Sequence, residues 1–174
     1  MRDLKTAIRN VQDFPKEGIG FKDITTLLND PVAFKESVDA IAQAYADKNI
    51  QKIVGIESRG FIFGAALAYK WNIAFVPARK PGKLPAETIK ESYELEYGTD
   101  AIEMHKDAIA ADERILIVDD LLATGGTAAA TTKLVERLGG AIIGIAFLIE
   151  LTFLNGRAKL ADYPVTSIVE FDSE

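Results

Sequence analysis

Residues 115–127 read Ile-Leu-Ile-Val-Asp-Asp-Leu-Leu-Ala-Thr-Gly-Gly-Thr. Four apolar residues in a row, without alternation, predict a strand buried on both faces, which occurs mainly in parallel sheets flanked by helices. The two acids and the Thr/Gly turn that follow place the strand's carboxyl end at a helix start. Comparable strand patterns recur at Lys52–Ile56, Ile73–Pro77, Ala141–Leu151 and Val165–Phe171. Helical patterns lie between them: from the Asn29-Asp30-Pro31 start to about Ala46, from Gly60 to Lys70, and from Thr127 to Leu138. Alternating strands and helices predict one α/β domain over residues 1–174, with a parallel-sheet core and flanking helices. Residues 91–104 alternate polar and apolar around Gly98-Thr99-Asp100, as in a hairpin. Leu4, Ala7, Ile8 and Val11 recur at helical spacing and predict a short N-terminal helix, ended by Phe14-Pro15. Gly18–Ile24 reads as a glycine-rich stretch without an element of its own, and Asn155–Leu160 as a short turn or helix.

Composition narrows the chemistry. The 174 residues include no cysteine and one histidine, His105, so thiolate sites, cysteine nucleophiles and a His-rich zinc centre are excluded or disfavoured. The formal charge of −6 argues against a duplex-DNA binder, whose affinity rests on neutralising phosphates. No apolar run approaches the roughly 20 residues of a membrane span, and Met1–Lys5 leads into no signal core, so a cytoplasmic protein is expected.

The turn after the acids is suited to an anion. Free N–H groups at a helix start cradle phosphate, Gly125 and Gly126 allow close backbone approach, and Thr124 and Thr127 add hydroxyl donors. It lacks the Gly-Lys-Ser/Thr of a Walker loop and the three glycines of a dinucleotide fingerprint. Asp119 and Asp120 would repel a phosphate but accept hydrogen bonds from hydroxyls, so the combination points to a phosphorylated sugar bound through its diol. The plainer alternative is a pair of acids that marks a strand end.

This stretch resembles the phosphoribosyl-pyrophosphate (PRPP) motif of the type I phosphoribosyltransferases. Asp13-Phe14-Pro15, Phe21-Lys22-Asp23-Ile24, Glu57-Ser58-Arg59-Gly60-Phe61, Arg79-Lys80-Pro81-Gly82-Lys83-Leu84-Pro85, Tyr93-Glu94-Leu95-Glu96-Tyr97-Gly98 and Leu148-Ile149-Glu150-Leu151 extend the resemblance in order through nearly the whole chain. These blocks narrow it to the adenine branch. The resemblance implies the type I phosphoribosyltransferase fold, with a flexible β-hairpin lid and a small N-terminal hood. It also implies the reaction adenine + PRPP → AMP + pyrophosphate, with Mg²⁺ arriving on PRPP rather than in a carboxylate cage, and a homodimer with Arg79–Lys83 near the subunit contact.

Roles follow the matching positions. Asp119, Asp120, Ala123, Thr124, Gly125, Gly126 and Thr127 would hold the ribose phosphate. Glu57, Ser58 and Arg59, a loop between strand and helix, would hold pyrophosphate together with Arg79, Lys80 and Lys83. Phe21 and Leu121 would sandwich adenine, with backbone groups around Phe21 and Lys22 reading its amine edge. Glu96 would be the catalytic carboxylate beside purine N7, and Tyr97 its neighbour in the lid. Each has a plainer alternative: a solvated charge at Arg59, a water-facing hairpin glutamate at Glu96, a core ring at Phe21. His105 reads as a surface residue and Trp71 as packing. Hypoxanthine or guanine as the base would leave the sugar chemistry unchanged. A purine-responsive DNA regulator would need a basic helix-turn-helix, for which the stretch before Lys52 has neither the charge nor the length.

Overall fold

The computed structural model describes residues 3–94 and 98–173. Asp3 caps a 3₁₀ turn, Leu4–Ala7, and the chain then extends as strand β1 (Arg9–Val11), antiparallel to β2 (Phe21–Asp23). The expected N-terminal helix is therefore corrected to a turn and a strand, and the glycine-rich stretch does contain an element. The apolar spacing was real, since Leu4 and Ile8 are buried, but so short a helix has little stability of its own.

A four-residue helix α1 (Thr25–Leu28) leads to α2 (Pro31–Ala44), where Asp30 Oδ1 accepts from Val32 N at 2.9 Å and Ala33 N at 3.2 Å. Proline in the first turn costs no hydrogen bond there, so the start is sharp. Then follow β3 (Lys52–Ile56), α3 (Gly60–Trp71), β4 (Ala74–Ala78), the hairpin β5 (Thr88–Glu94) and β6 (Thr99–His105), β7 (Arg114–Leu122) and α4 (Gly126–Arg137). After β8 (Ala141–Leu151) come 3₁₀ turns at Thr152–Leu154 and Gly156–Leu160, then β9 (Val165–Phe171).

The central sheet has the order β4-β3-β7-β8-β9, with every pair parallel. Successive residues face opposite layers. Ile53, Leu116, Val118 and Leu148 pack with α2, α3 and the N-terminal segment, while Val54, Ile117, Ile145 and Phe147 pack with α4 and the hairpin. Parallelism brings all five carboxyl ends to one edge, where ligands of open α/β sheets bind. The loops 57–59, 79–83, 123–125 and 152–157 all leave from that edge.

The hairpin is anchored more firmly than its sparse apolar residues suggest. Ile102 and Met104 are fully buried in the second core, each side chain contributing about 1.5–3 kcal/mol. Arg137 Nη1 also donates to Lys90 O at 2.8 Å. Among the described residues no helix is long and apolar enough to cross a membrane.

Candidate active site

β7 delivers the acids and then turns. Gly125 has φ +78°, a left-handed conformation that glycine adopts without strain, and it opens α4. Asp119, Leu121, Ala123, Thr124, Gly125, Gly126 and Thr127 line one hollow of about 90 Å³, backed by Phe147. Its walls are the free end of α4 and two threonine side chains, the arrangement that attracts a small anion. The Tyr93 ring packs against the same turn: a Cβ at Gly126 would stand 3.1 Å from Tyr93 Cδ2.

Gly60 starts α3 directly against the acids. A Cβ there would meet Asp119 Oδ1 at 2.7 Å and Val118 O at 2.8 Å, so only glycine allows this approach. Asp119 Oδ1 accepts from Asp120 N at 2.8 Å. Burial pushes the Asp119 carboxyl well above the ordinary carboxylate range, and the neighbouring Asp120 charge adds to it. Asp120 is also raised, by burial, against the pull of Arg59. Arg59 Nε lies 2.8 Å from Asp120 Oδ2, but that oxygen accepts no hydrogen bond. The two are a charge contact without hydrogen-bond alignment.

Around Arg59 the structure gathers two of the expected regions. Its guanidinium stands 5.0 Å from the Phe21 ring centroid, joining the N-terminal segment to the 57–60 loop and the acids. Phe21 meets Phe14 edge-on at 5.1 Å, and Val11, Phe14, Phe21 and Asp23 line an apolar cavity of about 270 Å³. Leu121 lines the 123–127 hollow next to the acids. The Lys22 side chain is buried, its Nζ 3.1 Å from Asn10 Oδ1 and 4.5 Å from the Phe171 ring centroid, so only its backbone can serve a ligand beside Phe21.

Two members of the basic cluster, Arg79 and Lys80, are already partnered. The Glu57–Ser58 peptide bond is cis. Glu57 Oε2 accepts from Arg79 Nε at 2.9 Å and Lys80 N at 3.0 Å, and these bonds outweigh burial to hold its carboxyl below the ordinary range. Lys80 Nζ binds the Asp100 carboxylate and lies 3.1 Å from Tyr93 Oη. Lys83 O accepts from Arg79 Nη1 at 3.3 Å, and Gly82 N donates to Glu103 Oε2 at 3.2 Å. Glu57 and Arg79 thus bind the ends of β3 and β4 together, while Lys80 ties that unit to the hairpin. Glu96 and Tyr97 lie outside the described residues.

Sequence reasoning missed Tyr93, Asp100 and Glu103 as neighbours of these loops. Tyr93 stands within a block singled out for its resemblance, but Asp100 and Glu103 look like ordinary hairpin polar residues. Among the described residues no three His, Cys, Asp or Glu side chains converge as a metal cage. A hard oxygen donor is nevertheless present in Asp120 Oδ2, buried and without a hydrogen-bond donor, which suits a Mg²⁺ that brings phosphate oxygens and waters with it.

Fold and site together define a parallel α/β protein with an anion-cradling turn and paired acids at the carboxyl edge of its sheet. Residues 23–172 match the family model of the phosphoribosyl transferase domain. An adenine phosphoribosyltransferase of Koribacter versatilis is 57% identical over 169 residues, covering 97% of this chain and 93% of that protein. The crystal structure of adenine phosphoribosyltransferase from Thermoanaerobacter pseudethanolicus superposes with a TM-score of 0.94 at 55% identity, covering 97% and 98% of the two chains. That of Saccharomyces cerevisiae, complexed with an imino-altritol bisphosphate and adenine, gives 0.90 at 45% identity, covering 95% and 96%. The chain belongs to the adenine phosphoribosyltransferase family.

Proposed function

We infer that the chain transfers the phosphoribosyl group of PRPP to adenine, giving AMP and pyrophosphate. The observation that carries this reading is the meeting of the 123–127 cradle, the Asp119–Asp120 pair, Arg59 and Phe21 at one sheet edge. A phosphate, a diol, a diphosphate and a flat base each find a chemically matched neighbour there.

In this reading Ala123–Thr127 hold the 5′-phosphate, and Asp119 and Asp120 accept from the ribose hydroxyls. C1 is thereby held in line for attack. Its bond to the pyrophosphate oxygen breaks, the electron pair leaving on the diphosphate, and the sugar acquires oxocarbenium character as in glycoside cleavage. Backbone groups of Glu57 and Ser58, with Arg59, Lys80 and Lys83, stabilise that charge. Arg79 keeps the loop in place through Glu57. Adenine N9 donates its lone pair to C1 while Glu96 takes the proton from N7. Phe21 and Leu121 flank the base, the Phe21–Lys22 backbone reads its amine, and Tyr97 is assigned to the lid. Asp120 would help hold the Mg²⁺ that arrives with PRPP, and the metal would supply charge neutralisation for the leaving group.

The same reading takes residues 1–174 as one domain and the protein as a cytoplasmic homodimer without nucleic-acid or membrane partners. Sedimentation should give a dimer; a monomer at every concentration would reject that part. The activity itself is tested by pyrophosphate release from PRPP with adenine, hypoxanthine and guanine. Adenine should be far the best substrate, and equal turnover of the three bases would remove the assignment.

A further inference from the structure

We propose that Gly156, held by an Arg157–Glu150 clamp, positions the 123–127 loop for the sugar phosphate. The proposal rests on the assignment of that loop to the 5′-phosphate. Gly156 is buried, in a turn far from the loop in sequence. Its own Cβ would overlap Ala123 O and stand 3.0 Å from Gly125 N. Reciprocally, a Cβ at Gly125 would meet Gly156 O at 2.5 Å. The two backbones are therefore packed face to face, with no side chain between them. A methyl group at either glycine has only backbone to push against, and the backbone it pushes is the phosphate cradle.

Arg157 fixes the turn in that place. Its Nε donates to Glu150 Oε1 at 3.0 Å, its Nη1 to Val165 O at 2.8 Å, and its Nη2 to Ser167 Oγ at 3.1 Å and to Glu150 Oε2. Ser167 Oγ donates to the same Glu150 oxygen at 2.5 Å. Glu150 is buried on β8 and stands in register beside Leu122, the last residue of β7 before the cradle. One guanidinium thus joins the turn to the carboxyl end of β8 and to the first residues of β9, and Gly156 carries that anchorage to the loop. A planar fork making four such contacts cannot be replaced by an ammonium. Gly156 and Arg157 are positioning residues, since neither is placed against substrate.

The test compares Gly156→Ala and Arg157→Lys with wild type by steady-state kinetics, ribose 5-phosphate binding by calorimetry and circular dichroism. Displacing the loop should raise the PRPP KM and the ribose 5-phosphate Kd about 10- to 100-fold in Gly156→Ala. The adenine KM and the circular dichroism should stay at wild-type values. Arg157→Lys should shift the same two constants in the same direction, less strongly. If Gly156→Ala does not fold, Arg157→Lys decides alone. Unchanged PRPP KM and ribose 5-phosphate Kd in the folded variants would overturn the proposal. So would equal losses for PRPP and adenine, the mark of a merely structural role. A wild-type protein that binds ribose 5-phosphate but forms no AMP would instead overturn the transfer reading, while the binding comparison would still decide this one.

Discussion

Arg59 Nε lies 2.8 Å from Asp120 Oδ2 without aiming a hydrogen bond at it, so a buried carboxylate oxygen has charge compensation but no donor. An unsatisfied buried acceptor is costly, and a ligand hydroxyl or hydrated cation would relieve that cost. The acids at this sheet edge are thus prepared for a ligand at the expense of the free protein's stability.

That expense is measurable. Asp119 is raised in the folded state, chiefly by burial, so folding favours its protonated form. Its contribution is fully present below the ordinary value of 3.8 and is lost as pH rises through the folded value. At neutral pH the raised carboxyl therefore works against the folded state. Asp119→Asn should raise Tm at pH 7, by about 2–4 °C for each kcal/mol regained. The gain should shrink as the melting buffer is made more acidic, while PRPP turnover falls about 10- to 100-fold for the lost charged acceptor. A lower Tm at pH 7 would contradict this account.

Glu96→Gln should separate binding from chemistry. Loss of a general base lowers kcat about 10²- to 10⁴-fold, and the PRPP KM should change little because the carboxylate acts on the base. Wild-type turnover in this variant would make Glu96 an ordinary water-facing hairpin residue.

Lys80 is held by Asp100 and Tyr93 but is expected on the diphosphate, so substrate must compete with the hairpin for it. The pair is partly exposed, and such pairs are worth about 0–1 kcal/mol. Asp100→Asn should accordingly lower the PRPP KM by up to about fivefold. Trypsin should cut the free protein first in the exposed loop at Lys83, since Lys90 lies in a paired strand with its carbonyl bonded to Arg137. PRPP with Mg²⁺ should slow that cut. Cleavage at one rate with and without substrate would leave the segment no role as a lid.

Asp23 tests the N-terminal segment. The Thr25 N–H and the Arg9 guanidinium lower its carboxyl from 3.8 to about 2. The stabilisation is present above the ordinary value and is lost as pH falls through the folded one. Hydrogen exchange in β1 and β2 should therefore quicken as pH falls below about 4, beyond the intrinsic pH effect. At neutral pH, Asp23→Ala should raise the adenine KM more than the PRPP KM, because Phe21 rides on this segment. Equal effects on both would detach Phe21 from base recognition.

Much of the fold was legible because its signals are local. Ala141–Leu151 and Val165–Phe171 are strands within the limits their apolar runs suggest, and the Asp30-Pro31 start is where its cap predicts. The Asp-Asp-Leu-Leu-Ala-Thr-Gly-Gly-Thr turn reads as an anion cradle from residue types alone, since N–H groups, glycines and hydroxyls within one turn need no distant partner. Leu4–Val11 misled because a helical spacing of apolar residues can equally be met by a tight turn and a strand, and pairing with Phe21–Asp23 decided between them.

Chain order and side-chain chemistry by themselves determined a parallel α/β protein, the location of the glycine-rich turn proposed to hold phosphate and the family it resembles. Tertiary structure alone decided which charges are free. It gave Arg79 to Glu57, Lys80 to Asp100 and Arg157 to Glu150, and it set Gly156 against the cradle. The reason is physical: spacing along a strand or helix determines where a side chain points. Whether a charge finds a partner depends on residues many positions away, which only the packed sheet brings within hydrogen-bond reach.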